Sequence, residues 1–404
     1  MRAGALLFFL GLASLDTTVA FAQARLFEVE PKFPPTCIVL RAGVKFQMSV
    51  QIALKNCLPN YAVELAAGPN RRDNSFVIDP ITLPRKVSLI VDGGVTDYGT
   101  TDASRYQIPS APGTCGTVGP YPVYGICKPL ISFTSGSGIY GYGIIDGQGQ
   151  MPVRVKGKTI PSWWYLLTER KQCPSKSDDD KTCQEANRLM ISAGNMDGSS
   201  TNLVLYKITL RNPPFHTIRL SGSHVTAWDV KVQAPWNVPN TDGFDVHGND
   251  ILIKDSIVAN GDQDIALTSA GRITSDVMVD GLRAYGKGGV ALLDDGPGFS
   301  GIMIDVFAMT GDLPSVVGST VNGVTERQMH DEYGVKYGQA LPSATGDSQG
   351  MQINTGLDST SLPPSRSITN VSFSKVCMSD IVRPIHIGPL SNPDPNNPPK
   401  DWRP

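Results

Sequence analysis

The 404-residue sequence is short of charge, with only 18% of its residues Asp, Glu, Lys or Arg, below the ~25% usual for soluble domains. Its 35 basic and 37 acidic residues nearly cancel, for a formal net charge of −2. A nucleic-acid binder or a protein adsorbed to anionic lipid carries a basic excess, so neither class fits. Long apolar runs are missing beyond the N-terminal stretch, which leaves no segment with the ~20 apolar residues of a membrane-spanning helix. No Cys-x-x-Cys occurs, and no histidine lies at ligand spacing from a cysteine pair, which excludes the common structural zinc centres. The acidic run Asp178-Asp179-Asp180 follows no EF-hand spacing and reads as a solvated loop. What is abundant is glycine, at 41 residues, and proline, at 31, within a chain that is 40% hydrophobic. That mixture describes a turn-rich protein with a sizeable core and few long helices.

The N-terminus has the order of an export leader: Arg2, then an apolar run from Ala5 to Leu12, then the small-x-small exit Ala20-Phe21-Ala22. Residues 1–22 are therefore expected to be removed and the remainder secreted to the extracellular space. Six of the seven cysteines fall into close sequential pairs, Cys37 with Cys57, Cys115 with Cys127 and Cys173 with Cys183. In an exported chain these read as three local disulfides, although six cysteines allow 15 connectivities. Cys377 is left over and is expected to be a buried thiol.

From about residue 200 a loose repeat emerges. Aligning Leu205, Ala227, Ile253, Val279 and Ile304 gives spacings of 22, 26, 26 and 25 residues, each unit a short β-branched run closed by Gly, Asn or Asp. The period is too short for a propeller blade of ~40 residues. It fits an all-β solenoid, a right-handed parallel β-helix in which each unit is one coil. Phe373, 69 residues beyond Ile304, would then lie about three coils further on. Val87 to Val91 and Gly143 to Gly149 look like earlier coils, and Pro34 to Asn60 would cap the open end. A single domain over residues 23–390 and a mobile C-terminal tail over 391–404 complete the expectation.

On such a solenoid, matched positions on neighbouring coils stack about 4.8 Å apart, so acids one coil apart can converge on one cleft. Two clusters do so: Asn240-Thr241-Asp242-Gly243-Phe244-Asp245 and Asn260-Gly261-Asp262-Gln263-Asp264. Hydrolysis of a glycosidic bond with inversion needs one protonated carboxyl and one carboxylate ~6.5–9.5 Å apart, and Asp242 with Asp262 could supply them. Asp and Asn also close turns in any β-helix, so the residues alone leave structural and catalytic roles open.

These motifs resemble glycoside hydrolase family 28, the polygalacturonases and their relatives. The resemblance rests on Ile144-Ile145-Asp146-Gly147-Gln148-Gly149, Pro161-Ser162-Trp163-Trp164, Ile208 to Phe215 and above all Asn240-Thr241-Asp242-Gly243. It implies a parallel β-helix, inverting hydrolysis of pectin, Asp262 as general acid and Asp242 as a water-activating base. The sequence also departs from the family pattern. Gln263 stands where a second base aspartate is expected, Gly286-Lys287-Gly288 where Gly-His-Gly is expected, and Gln352 and Asn354 where an Arg and a Lys would grip a uronate. Gln cannot accept a proton, and amides give no charge-assisted contact to a carboxylate. Asp264, two residues after Asp262, is a candidate for the missing carboxylate. The expected catalytic set is thus Asp262, Asp242 and Asp264, with Asn240, Gln263, Lys287, Gln352 and Asn354 binding a pectin-type polysaccharide. No cofactor or metal is implied, and the protein is expected to act as a monomer with neither nucleic-acid nor membrane partners. A carbohydrate-binding descendant without catalysis, or a hydrolase of a less charged pectin such as rhamnogalacturonan, remains as an alternative.

Overall fold

A computed structural model describes residues 29–119, 127–166, 184–285 and the strand segments 302–308, 320–321, 324–325, 351–357, 368–379 and 385–387, apart from positions 46, 71, 196–197, 236–237, 239 and 269–273. The leader at 1–22, the tail at 391–404, Cys173, Cys183 and Lys287 lie outside the described residues. From Pro31 onward the chain forms one compact unit. It is a right-handed parallel β-helix whose described residues form three main sheets of eleven, eight and nine strands, parallel throughout except for the pair Thr320–Val321 and Val324–Thr325, with the hand that connections between parallel strands adopt. One coil shows the plan: Ser223–Trp228 lies in the first sheet, Lys231–Gln233 in the second and Phe244–Val246 in the third.

The interior is made of stacked apolar rows. In the first sheet Val63, Leu89, Ile139, Leu205, Ala227, Ile253, Val279 and Phe373 stand in register on successive strands, and all are buried. The spacing Leu205 to Val279 thus reads the coil correctly. Ile304 does not continue it. Its strand, Ile302–Ala308, belongs to the third sheet and pairs with Ile265–Thr268. Phe373 is the next rung after Val279, one coil away rather than several. Both strands carry the same apolar alternation, so the local pattern does not tell the sheets apart.

The corners explain the Asp and Gly punctuation. Lys207, Asp229, Asp255, Gly281 and Lys375 all have φ between 48° and 78°, and each donates its N–H to the last residue of the adjacent coil's first-sheet strand or closes the final coil. A single left-handed residue turns the chain from first to second sheet, and Gly and Asp tolerate that conformation best.

The open end is covered by the strand Thr36–Arg41 and the helix Val50–Asn56, whose Val50, Ala53 and Leu54 enter the core. Ser49 caps this helix by accepting from the Ile52 N–H. The disulfides Cys37–Cys57 and Cys115–Cys127 are formed. Cys377, by contrast, is exposed. In its strand Cys377–Ser379 it is Met378 that packs on the core, so the alternation of a strand turns Cys377 outward.

Candidate active site

The chain passes from second to third sheet through a turn in every coil, and three successive turns carry the polar residues. They end at the strands Ile218–Leu220, Phe244–Val246 and Ile265–Thr268, which pair in register through Ile218, Phe244 and Ile265. The turns themselves are laced together. Thr217 N–H donates to the Asp242 carbonyl at 2.8 Å, Gly243 N–H to the Gln263 carbonyl at 2.9 Å, and Gly261 N–H to Thr241 Oγ1 at 2.9 Å. Such close stacking needs glycine. A Cβ on Gly243 would stand 2.4 Å from the Asp264 carbonyl oxygen, and one on Gly261 would stand 2.1 Å from that of Val238.

The first turn is fixed from behind. Buried Asp146 accepts from Gln148 N–H at 2.8 Å, Arg211 Nε at 2.9 Å and Asn212 Nδ2 at 3.0 Å. Trp164 Nε1 donates to the Pro213 carbonyl, while Trp163 is fully buried beside Tyr106 and the Arg188 guanidinium. The two tryptophans therefore anchor the loop, and burial keeps the Trp163 face from any sugar. The clamp on residues 211–213 delivers Phe215 and His216, whose rings stack at 4.1 Å.

His216 is the centre of the cluster. Its Nδ1 meets Asp245 Oδ2 at 2.5 Å and its Nε2 faces Asp242 Oδ1 across 3.4 Å, with all three side chains buried. A neutral imidazole donates from one nitrogen only, so carboxyl oxygens on both sides of the ring favour the imidazolium. Burial alone would push the His216 pKa down, but Asp242 and Asp245 outweigh it and raise the value. Asp245 also feels burial first, yet His216 and then Arg219, beside it in register, hold it down at about 2. His247 is pushed to about 4 by burial and stays neutral.

Asp242 and Asp262 are both raised, foremost by burial. Asp242 is pulled back by His216 and pushed up by the charge of Asp262. Asp262 reaches about 7, even though its Oδ2 accepts from Asn240 N–H at 2.7 Å and its Oδ1 from Gln263 N–H at 3.1 Å. The two titrate as a coupled pair. A proton on Asp262 removes its repulsion of Asp242 and leaves the imidazolium 3.4 Å from that carboxyl. Two like charges in this buried pair disfavour double ionisation, so the pair retains a proton that a single exposed carboxyl would lose.

Asp264 is set apart. It is wholly buried, neither carboxyl oxygen has a hydrogen-bond partner, and burial alone raises its pKa well above the ordinary value. Burial of this kind disfavours the charged carboxylate, the form a base needs. The expectation that it shares a face with Asp262 assumes an extended backbone, whereas residues 260–264 bend. Asn240 and Gln263 both border Asp262. Gln352 and Asn354 lie on the third-sheet strand Met351–Leu357, with Asn354 opposite Asp305. His216 and Asp245 escaped the sequence reading as site residues. The available signal was the interval of 26 residues, one coil, between His216 and Asp242.

His216, Asp242 and Asp245 bring one donor atom each within 4.8 Å of one another. The contacts are a hydrogen bond from His216 Nδ1 to Asp245 and a 3.4 Å ion-pair contact from Nε2 to Asp242, so both imidazole nitrogens are already turned to carboxylates.

Comparison with known proteins agrees with this architecture. The model of the Glycosyl hydrolases family 28 matches residues 129–290. An endo-polygalacturonase of Pectobacterium carotovorum subsp. carotovorum is 33% identical over 309 residues, covering 75% of this chain and 71% of the relative. That of Pectobacterium parmentieri is 32% identical over the same shares. The solved polygalacturonase from Erwinia carotovora ssp. carotovora superposes with a TM-score of 0.50 at 24% identity, over 88% of this chain and 98% of that one.

Proposed function

The chain belongs to glycoside hydrolase family 28, and from that premise we propose that it is an exported, polygalacturonase-type hydrolase that cleaves the backbone of pectin with inversion. The observation that carries this reading is the pair Asp242 and Asp262, buried and electrostatically coupled on adjacent coils, with His216 3.4 Å from Asp242. In the proposed reaction Asp262 protonates the glycosidic oxygen as the C–O bond breaks. Asp242 takes a proton from a water that attacks the anomeric carbon from the opposite face. The product is a new reducing end of inverted configuration, and exchange with solvent returns each carboxyl to its starting state. Gln263 donates to Asp262 through its backbone N–H; as an amide it orients groups but moves no proton. Export rests on the leader-like residues 1–22.

The test is reducing-sugar release from polygalacturonate, rhamnogalacturonan and xylogalacturonan, with Asp262→Asn as the control and the configuration of the first-formed anomer read by NMR. Release from polygalacturonate that Asp262→Asn abolishes, with the inverted anomer appearing first, is the expected result. Release confined to rhamnogalacturonan would move the substrate assignment, and release that survives Asp262→Asn would overturn the acid assignment.

A further inference from the structure

Asp242 needs more than its own carboxyl to act as a base. It is 3% exposed, burial disfavours its charged form, and its neighbours in the next turn give little help among the described residues: Gln263 is an amide, and burial without a hydrogen-bond partner disfavours the charged form of Asp264. The group that compensates stands one coil below. We propose that His216 is a positioning residue for the base: Asp245 grips Nδ1–H, and the opposite N–H of the imidazolium holds the Asp242 carboxylate ionised and turned toward the attacking water. This rests on the hydrolytic reading above.

Three features make the arrangement a built one. Asp245 points out of the core from a strand whose Phe244 and Val246 point in, so its carboxylate arrives at the ring with strand-like precision. The ring is stacked flat on Phe215, 9° from parallel, which fixes its plane. The segment bearing both rings is tied through Arg211 and Asn212 to Asp146. The logic is that of an acid holding an imidazole in orientation and stabilising its cation, with the second nitrogen committed to the working group. The charged and titratable groups facing His216 are Asp242 from the next turn, Asp245 and His247 from the next coil, and Arg219 from the strand that follows it. The two carboxylates in contact with the ring outweigh the single guanidinium.

The experiment is the pH dependence of kcat on polygalacturonate for the wild type, His216→Gln and Asp245→Asn, each shown folded by circular dichroism. An opposite charge within ~4–6 Å lowers a carboxyl's pKa by 1–3 units. Replacing the imidazolium by a neutral amide donor should therefore move the acid limb, which reports Asp242, upward by about 1 unit or more. The alkaline limb, which reports Asp262, should stay within about half a unit, so the bell narrows from one side. Asp245→Asn keeps the ring but weakens its charge and should shift the same limb by less. A uniform fall in kcat with both limbs in place would mean a purely structural role and would overturn the proposal. Histidine 15N shifts give a readout independent of turnover: the His216 ring should carry protons on both nitrogens at pH 7 in the wild type. If no pectic substrate is cleaved, the hydrolase reading fails by itself, and a singly protonated His216 would still refute the positioning role.

Discussion

Asp97 offers the sharpest test of how this solenoid is held together. It occupies an inward position of the second sheet, in a row with Phe76, Ile145, Leu210, Val232 and Val258. It is wholly buried, both carboxyl oxygens lack a hydrogen-bond partner, and burial lifts its pKa from 3.8 to about 8. The sign follows from linkage. Below pH 4 the group is protonated whether the chain is folded or not, and it costs nothing extra. As pH rises, the unfolded chain ionises first and gains free energy that the folded protein cannot match until about pH 8. Each pH unit in that window costs ~1.4 kcal/mol, so the penalty at pH 7 is about 4 kcal/mol. Asp97→Asn is nearly isosteric and does not titrate. Its stability relative to wild type should therefore grow with pH, from near zero at pH 4 to about 4 kcal/mol at pH 7, and level off above pH 8. Guanidinium unfolding of both proteins at pH 4, 5.5, 7 and 8.5 measures this directly. A difference that stays constant across these pH values would refute the reasoning, because it would mean that Asp97 is paired or already ionised in the fold.

Further outcomes follow from the site. Asp262→Asn should lower kcat on polygalacturonate by 10²- to 10⁴-fold, the usual worth of a general acid, with substrate affinity retained in a binding assay. Gly243→Ala must push the Asp264 carbonyl and the Val258 side chain aside; a loss of about 1–3 kcal/mol in unfolding free energy is expected from such overpacking, together with reduced activity because Asp242 is the neighbouring residue. Asp146→Ala removes three hydrogen bonds to a buried carboxylate and should cost about 1.5–3 kcal/mol, measured by the same unfolding curves. Dialysis against EDTA should leave turnover unchanged, whereas loss of activity that a divalent cation restores would show that the His216 cluster holds an ion.

The parts of this protein that were legible in its sequence are those that repeat on the scale of one coil. Leu205, Ala227, Ile253 and Val279 could be aligned because each lies in the same sheet of consecutive coils, and the residue that follows each run, Lys207, Asp229, Asp255 or Gly281, marks a left-handed corner. The alignment broke at Ile304 because inward rows in all three sheets use the same residues, and a long excursion separates Val279 from its true neighbour Phe373. Asp97 shows the converse: an aspartate is depleted in strands and seldom fully buried, yet register places it in the core. Asp242 and Asp262 stood out because their motifs are distinctive and their offset is close to a coil. His216 did not, since a histidine after Phe215 signals nothing until the adjacent coil is stacked on it.

That stacking also accounts for why the cluster can work chemically. A carboxyl on an isolated turn is solvated and titrates near its ordinary value. Here the coil below supplies an imidazolium, the coil's own strand supplies the acid that anchors it, and the coil above supplies the second carboxyl. Each group is buried by the turn next to it, so burial raises Asp242 and Asp262 together while a single cation, placed on one side only, separates their roles. In the proposed reaction the division between acid and base would follow coil order, and moving the histidine by one coil, to the Asp262 side, would reverse it. Engineering His216→Gln together with a cationic residue beside Asp262 should accordingly abolish turnover rather than restore it, because the proton would then reside on the carboxyl that must accept one. Recovery of near-wild-type kcat in that double variant would show that the position of the charge is immaterial and that geometry alone sets the roles of the pair.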